Sequence, residues 1–323
     1  MAPSFQTLQS AAQSRVFSFP LSGTTPASAL PESALEGLRQ RNSVLDALFY
    51  DIGNVTSEEA RTLGIILAAE GALLLVPPTG GGHIRCFNSI DDYVANGGAS
   101  VKVLAVAGVG SSALGSAAFA RNIADALDEP VCAVVSGYGL ADALTEGLGG
   151  FLWFGALNRV RHGFEWLDRR REQGVIEEPT TTLPAPPMAA SPLARWSKDV
   201  KSVAALLQRP DLEFSLLTGH SKGNLVLSEA LFALKQANPA QLARIGAQTR
   251  IVTVSAQIAM PPACKSVIDM MGALDGFGLF NSTPGIRTDR WVPMAWHHTN
   301  SELPLSLKVT PLFTALVAEG LLP

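Results

Sequence analysis

Residues 213–236 carry the feature that most limits how this chain can fold. An apolar run over 213–218 passes into Gly219-His220-Ser221-Lys222-Gly223, and helical spacing follows over 224–236. A strand that becomes a helix within five residues must keep the corner free of bulk, and the two glycines around the serine leave that room. The same alternation recurs elsewhere. Residues 101–107 predict a strand, 108–112 a loop of small residues, 116–127 a helix and 131–136 a strand. A helix over 196–207 feeds the strand at 213–218, and 250–255 predict the next strand. Strand, loop, helix and strand in succession predict βαβ units and an α/β fold, with a mostly parallel central sheet flanked by helices.

Further elements surround this frame. Residues 72–76 and 83–87 flank a Pro/Gly-rich turn and predict an antiparallel hairpin. Toward the C-terminus the pattern predicts a helix over 265–274, a strand over 278–282 and a last strand over 291–296. Residues 1–70 form a partly helical N-terminal extension: a loose Ser/Ala/Pro-rich arm to about residue 30, a helical pattern after Pro31, and a helix starting near Ser57. There Glu58 and Glu59 suit the positive end of the helix dipole. The main domain spans 71–323, interrupted by an insertion of different character over 138–195.

Composition removes several function classes. A chain of 323 residues can bury one large core, and its net charge of −4 offers no basic field for nucleic acid. Its charged residues are 16% of the total, against roughly 25% in average proteins. Such leanness fits a large core, or apolar surface that meets lipid, polymer or a partner. The three cysteines, Cys86, Cys132 and Cys264, show neither CxxC nor Cys/His ligand spacing, so a sequence-local zinc motif is absent and no disulfide framework is expected. Charges interrupt both apolar segments, 63–76 and 139–157, short of the ~20 clean residues of a membrane span. The expectation is a soluble, cytoplasmic protein, with peripheral attachment to a lipid or polymer surface left open.

The corner at Ser221 has the sequence and context of the G-x-S-x-G nucleophile elbow, in which a strained turn exposes the serine hydroxyl. The helix beyond it aims its positive end at the same place, where an oxyanion would develop. An elbow serine needs an acid and then a histidine, in that chain order. His83 and His162 precede Ser221, and His220 adjoins it and suits packing or hydrogen bonding. The base is then His297 or His298, with His297 slightly preferred. Four carboxylates lie between: Glu229 and Asp269, both expected at solvated helix positions, and Asp275 and Asp289 in loops. Asp289 is preferred as the acid and Asp275 is the reserve. For the oxyanion, one backbone N–H would come from Lys222, and the other from Val109 or, next, Gly110.

These residues resemble the α/β-hydrolase superfamily and, within it, the class 3 lipase-like branch. Gly219 to Asn224 is similar to that branch's GHSxGG elbow, with Asn224 in place of the last glycine. Asp289-Arg290-Trp291-Val292-Pro293 is similar to its Asp-x-Val-Pro run, with one extra residue, and His297-His298-Thr299-Asn300-Ser301-Glu302 falls where its histidine is expected. The resemblance runs from about residue 70 to the end. It implies ester or thioester chemistry through an acyl-enzyme, without cofactor or metal. Lipases of this kind cover the site with a lid, and residues 147–157, with Trp153 and Phe154 as candidate substrate-binding residues, fall in that interval. A glycine-packed core helix is an equal alternative for them.

Hydrolysis of lipid-like or medium-to-long acyl esters is the expected activity, on a small-molecule ester substrate. An acyltransferase or thioesterase would use the same acyl-enzyme, and a non-catalytic binding protein would use none of it.

Overall fold

The computed structural model describes residues 46–65, 70–108, 111–136 and 198–322. The expected N-terminal arm, the helix after Pro31, Val109, Gly110 and the insertion with Trp153 and Phe154 lie outside the described residues.

Eight strands form one sheet: β1 (Leu73–Val76), β2 (Arg85–Phe87), β3 (Val103–Val106), β4 (Val131–Val134), β5 (Leu216–His220), β6 (Arg250–Val254), β7 (Val267–Gly272) and β8 (Arg290–Val292). Their order is β2-β1-β4-β3-β5-β6-β7-β8. From β4 to β8 every pairing is parallel, whereas β1 runs antiparallel to both β4 and β2, so the 72–76/83–87 hairpin forms as predicted. The helices are α1 (Ser57–Ile65), α2 (Ile90–Ala95), α3 (Ala113–Leu127), α4 (Lys198–Gln208), α5 (Lys222–Ala237), α6 (Pro239–Gln248), α7 (Gly276–Asn281) and α8 (Val309–Ala318). No helix among the described residues is long and apolar enough to cross a membrane.

Parallel strands covered on both faces need apolar side chains on both, and the strands sort them by the two-residue period. Leu74, Val76, Val103, Ala105, Val131, Ala133, Leu216 and Val252 share one core with Phe119 of α3 and Phe313 of α8. Leu73, Leu75, Leu104, Val106, Cys132, Val134, Leu217 and Ile251 share the other with Val203 and Leu206 of α4 and Leu227 and Leu231 of α5. Each Val, Leu, Ile or Phe among them contributes about 1.5–3 kcal/mol on burial. A slip of one residue in any strand would exchange its two cores, which fixes the register.

That two-sided burial explains where the sequence pattern misleads. Residues 265–274, read as a helix, contain β7, because Val267-Ile268-Asp269-Met270-Met271 lacks the alternation of a half-buried strand. Residues 278–282, read as a strand, lie largely in α7, whose start is set by Asp275 accepting from the Gly278 N–H. The strand predicted over 213–218 begins at Leu216 and continues to His220, and the one predicted over 291–296 stops at Val292, before Pro293. Helix α6 fills residues that no pattern above assigns, although Asn238 as cap and Pro239 in the first turn mark its start.

Residues 46–65 pack on the sheet domain: Tyr50, Ile52, Val55 and Leu63 all enter the α3-side core. Thr56 and Glu59 form a reciprocal capping box at the start of α1. Glu59 then meets Arg121 of α3 at 2.6 Å, both side chains buried, and accepts from the Ile84 N–H. Burial opposes ionisation of Glu59, but the Thr56 donors and the Arg121 guanidinium outweigh it and hold the carboxyl below its ordinary range. Arg121→Met would strand this carboxylate. The expected loss is about 3–5 kcal/mol of unfolding free energy, read by urea denaturation, and a loss below about 1 kcal/mol would contradict it.

Candidate active site

Strand β5 delivers its last residue, His220, to the corner, and α5 begins at Lys222. Between them Ser221 adopts φ 53°, ψ −116°, a left-handed backbone that costs a non-glycine residue of order 1–3 kcal/mol. The surroundings leave no other choice. A Cβ at Gly219 would lie 2.5 Å from Asn224 Oδ1, and one at Gly223 would lie 2.0 Å from the Val106 carbonyl oxygen. The Ser221 N–H donates to the Val254 carbonyl at 2.8 Å, tying the corner to β6. Asn224, which stands where the resembling elbow has glycine, adds to this tie. Its amide donates to the carbonyls of Val254 and Ala256 at 2.9 and 2.8 Å.

His297 lies in the loop after β8, with Nε2 at 3.0 Å from Ser221 Oγ. Its Nδ1 faces the carboxylate of Asp275, at 2.8 and 3.0 Å from the two oxygens. Since a carboxylate only accepts, the Nδ1 proton points to Asp275 and the Nε2 lone pair to the serine hydroxyl. Asp275 is fully buried. Burial raises its pKa, but the His297 N–H, the nearby imidazole charge and the Gly278 N–H outweigh that and hold it below the ordinary carboxylate value. Phe49 and Phe277 stand edge-on to the imidazole, each with its centroid 6.0 Å away.

The structure separates the remaining candidates from this line. Asp289, preferred above as the acid, is engaged elsewhere: its carboxylate accepts from the Asp269 N–H at 2.9 Å and laces β8 to β7. Asp275, the reserve, takes the place beside the imidazole. His298 turns away, with Nε2 3.0 Å from the Pro304 carbonyl and the ring against Trp296. Asp269 and Glu229 are not solvated. Both are at most 8% exposed: β7 is an inner strand, and α5 packs against both the sheet and α4. Burial, with Asp289's charge adding and the Thr253 hydroxyl opposing, pushes the Asp269 carboxyl up to about 6.

Lys222 heads α5 directly after the serine, and its side chain pairs in the interior with Asp199 of α4 at 3.5 Å. Val109 and Gly110 lie outside the described residues; Gly108, which precedes them, lies against the corner. A Cβ on Gly108 would lie 3.0 Å from the Ser221 Cβ. Ser111 folds back on this loop, donating from Oγ to the Gly108 carbonyl at 3.0 Å.

What the sequence pattern does not single out is the contribution of residues 46–51. Asp46 accepts from the N–H of Ser112 at 3.0 Å and meets its hydroxyl at 2.5 Å, at the start of α3. Burial, opposed by these donors, pushes its carboxyl up to about 7. Tyr50 Oη lies 2.6 Å from the Gly108 nitrogen and 3.1 Å from His220 Nδ1. Phe49, through its carbonyl, accepts from the Thr299 N–H at 2.8 Å, and Asp51 accepts from Ser301 Oγ at 2.8 Å. One short segment therefore touches the loop before α3 and the loop that carries His297. A buried tyrosine and two aspartates within a helix-forming stretch were the available signal, but only the fold says what they meet.

Chemically, the arrangement can deprotonate a serine hydroxyl and stabilise the imidazolium that results. Among the described residues no group of three or more His, Cys, Asp or Glu side chains could hold a metal ion. No family model matches the chain, and no curated protein or solved structure matches it either.

Proposed function

We propose that this chain is a serine hydrolase of the α/β-hydrolase type, cleaving carboxylic esters through an acyl-enzyme on Ser221. The observation that carries the reading is the unbroken line from Ser221 Oγ through the His297 imidazole to the Asp275 carboxylate, set on a strained strand-to-helix corner. In the first half-reaction Ser221 Oγ attacks the ester carbonyl while His297 Nε2 takes its proton. Collapse of the tetrahedral adduct expels the alcohol, which leaves with that proton. Water then repeats the sequence on the acyl-enzyme and releases the acid. Asp275 stabilises the imidazolium in both halves. The Lys222 N–H at the start of α5, with a second donor from the loop after Gly108, is the proposed oxyanion site.

An apolar acyl group suits the surface beside the base. Phe277 packs against His297 and Trp296, yet its side chain is 46% exposed, and Leu274, Leu279 and Phe280 of the same stretch are similarly exposed. A chain lying over Phe277 would bury surface on both partners. Phe277→Ser is expected to raise KM for p-nitrophenyl octanoate about tenfold, equivalent to about 1.4 kcal/mol, and to leave the acetate within about twofold. Equal effects on both esters would remove the acyl contact.

The reading as a whole is tested by a fluorophosphonate probe followed by peptide mass spectrometry. The expected adduct lies on the peptide containing Ser221 and forms only in folded protein. A folded protein that takes up no probe, with or without detergent, would fit a hydrolase-like scaffold without catalysis. Product analysis with an added alcohol then separates hydrolysis from acyl transfer.

A further inference from the structure

His220 precedes the serine but faces away from it, into the interior, where it is 1% exposed. Its Nε2 lies 2.9 Å from the carbonyl oxygen of His297 and its Nδ1 3.1 Å from Tyr50 Oη. Tyr50, also 1% exposed, in turn meets the Gly108 N–H at 2.6 Å. Every direction in this chain is fixed by valence. A carbonyl only accepts, so the His220 proton sits on Nε2 and Nδ1 carries the lone pair. A backbone N–H only donates, so Tyr50 Oη accepts from Gly108 and gives its own hydrogen to Nδ1. Burial, with His297 close by, drives the His220 pKa down to about 3, so the ring stays neutral and holds one tautomer.

The chain thus starts at the first residue of the proposed oxyanion loop and ends on the peptide of the proposed base. We propose that Tyr50 and His220 are positioning residues, which hold the Gly108 loop and His297 in one register around Ser221. The proposal rests on the serine-hydrolase reading. Its physical basis is the narrow tolerance of such sites, where a misplacement of 1 Å can cost about 10²-fold in rate. The two rings sit 5.1 Å apart by their centroids, so a shift at His220 reaches the His297 imidazole directly as well as through its carbonyl. Without the phenol, neither the Gly108 N–H nor His220 Nδ1 keeps this buried partner.

Tyr50→Phe, His220→Leu and His220→Gln decide it, with p-nitrophenyl butyrate kinetics and ¹⁵N-histidine NMR on each folded protein. Tyr50→Phe and His220→Leu are expected to lower kcat roughly 10–100-fold with KM within about twofold. His220→Gln, whose amide can still donate toward the His297 carbonyl, should recover most of the loss. In the spectra, His220 should be the Nε2–H tautomer from pH 5 to 9, and the His297 signals should move in Tyr50→Phe. Should His220→Leu fail to fold, Tyr50→Phe, which deletes one oxygen, carries the test. A folded Tyr50→Phe with wild-type kcat and unmoved His297 signals overturns the proposal. If wild type itself hydrolyses no ester, the hydrolase reading fails. The His297 signals then still report the coupling: moved signals support it, and unmoved signals overturn it.

Discussion

Ser221→Ala is expected to lower kcat for ester hydrolysis by about 10⁶-fold while leaving the fold and KM almost unchanged. The size of the effect follows from cooperation. In the proposed mechanism His297 Nε2 takes the proton of the serine hydroxyl 3.0 Å away, and Asp275 serves catalysis through that imidazole. Removing the hydroxyl therefore disables the three together, and whatever survives reflects the oxyanion donors and substrate binding. Stability should not fall, since alanine meets the same left-handed backbone as serine and Ser221 makes no side-chain cap to α5. A kcat reduced by less than about tenfold would mean that Ser221 is not the nucleophile.

The second large effect separates the two aspartates. Asp275→Asn should lower kcat by about 10⁴-fold, because an amide can donate to Nδ1 and so turn the imidazole to the tautomer whose Nε2 proton faces the serine. The depressed pKa keeps the Asp275 carboxylate ionised across neutral pH, so its own protonation should not shape the wild-type profile there. Asp289→Asn should leave kcat within about threefold, since an amide oxygen can still accept from the Asp269 N–H. The reverse result, a silent Asp275→Asn and a crippled Asp289→Asn, would reassign the acid. Steady-state kinetics on the two variants, compared at the same fraction folded, is sufficient.

The places of the two aspartates show what the sequence can and cannot carry. The preference for Asp289 depends on a strand over 278–282 before it, and the structure has α7 there instead. Once Val267–Gly272 is β7 rather than part of a helix, Asp275 is the first carboxylate in the loop beyond it. The confusion has a physical source: inner strands are apolar on both faces, so Val267, Ile268, Met270 and Met271 mimic a helical stripe. The βαβ frame, the hairpin and the corner at Ser221 were legible because each is local and punctuated by glycine or proline. His297 was legible because so few histidines follow the serine. Tyr50 was not, since its partner His220 is 170 residues away and nothing in either neighbourhood announces the other. Asn224 is an intermediate case, visible as a departure from glycine and explained only by the carbonyls of Val254 and Ala256.

The bond from Thr299 Oγ1 to the Phe49 carbonyl joins residues 250 positions apart. A growing polypeptide makes Phe49 and Tyr50 before the serine corner, and the serine corner before the loop bearing His297. Until that loop leaves the ribosome the nascent chain holds the proposed nucleophile without its proposed base. On the proposed reading, termination anywhere before His297 would leave the line from Ser221 to Asp275 without its imidazole.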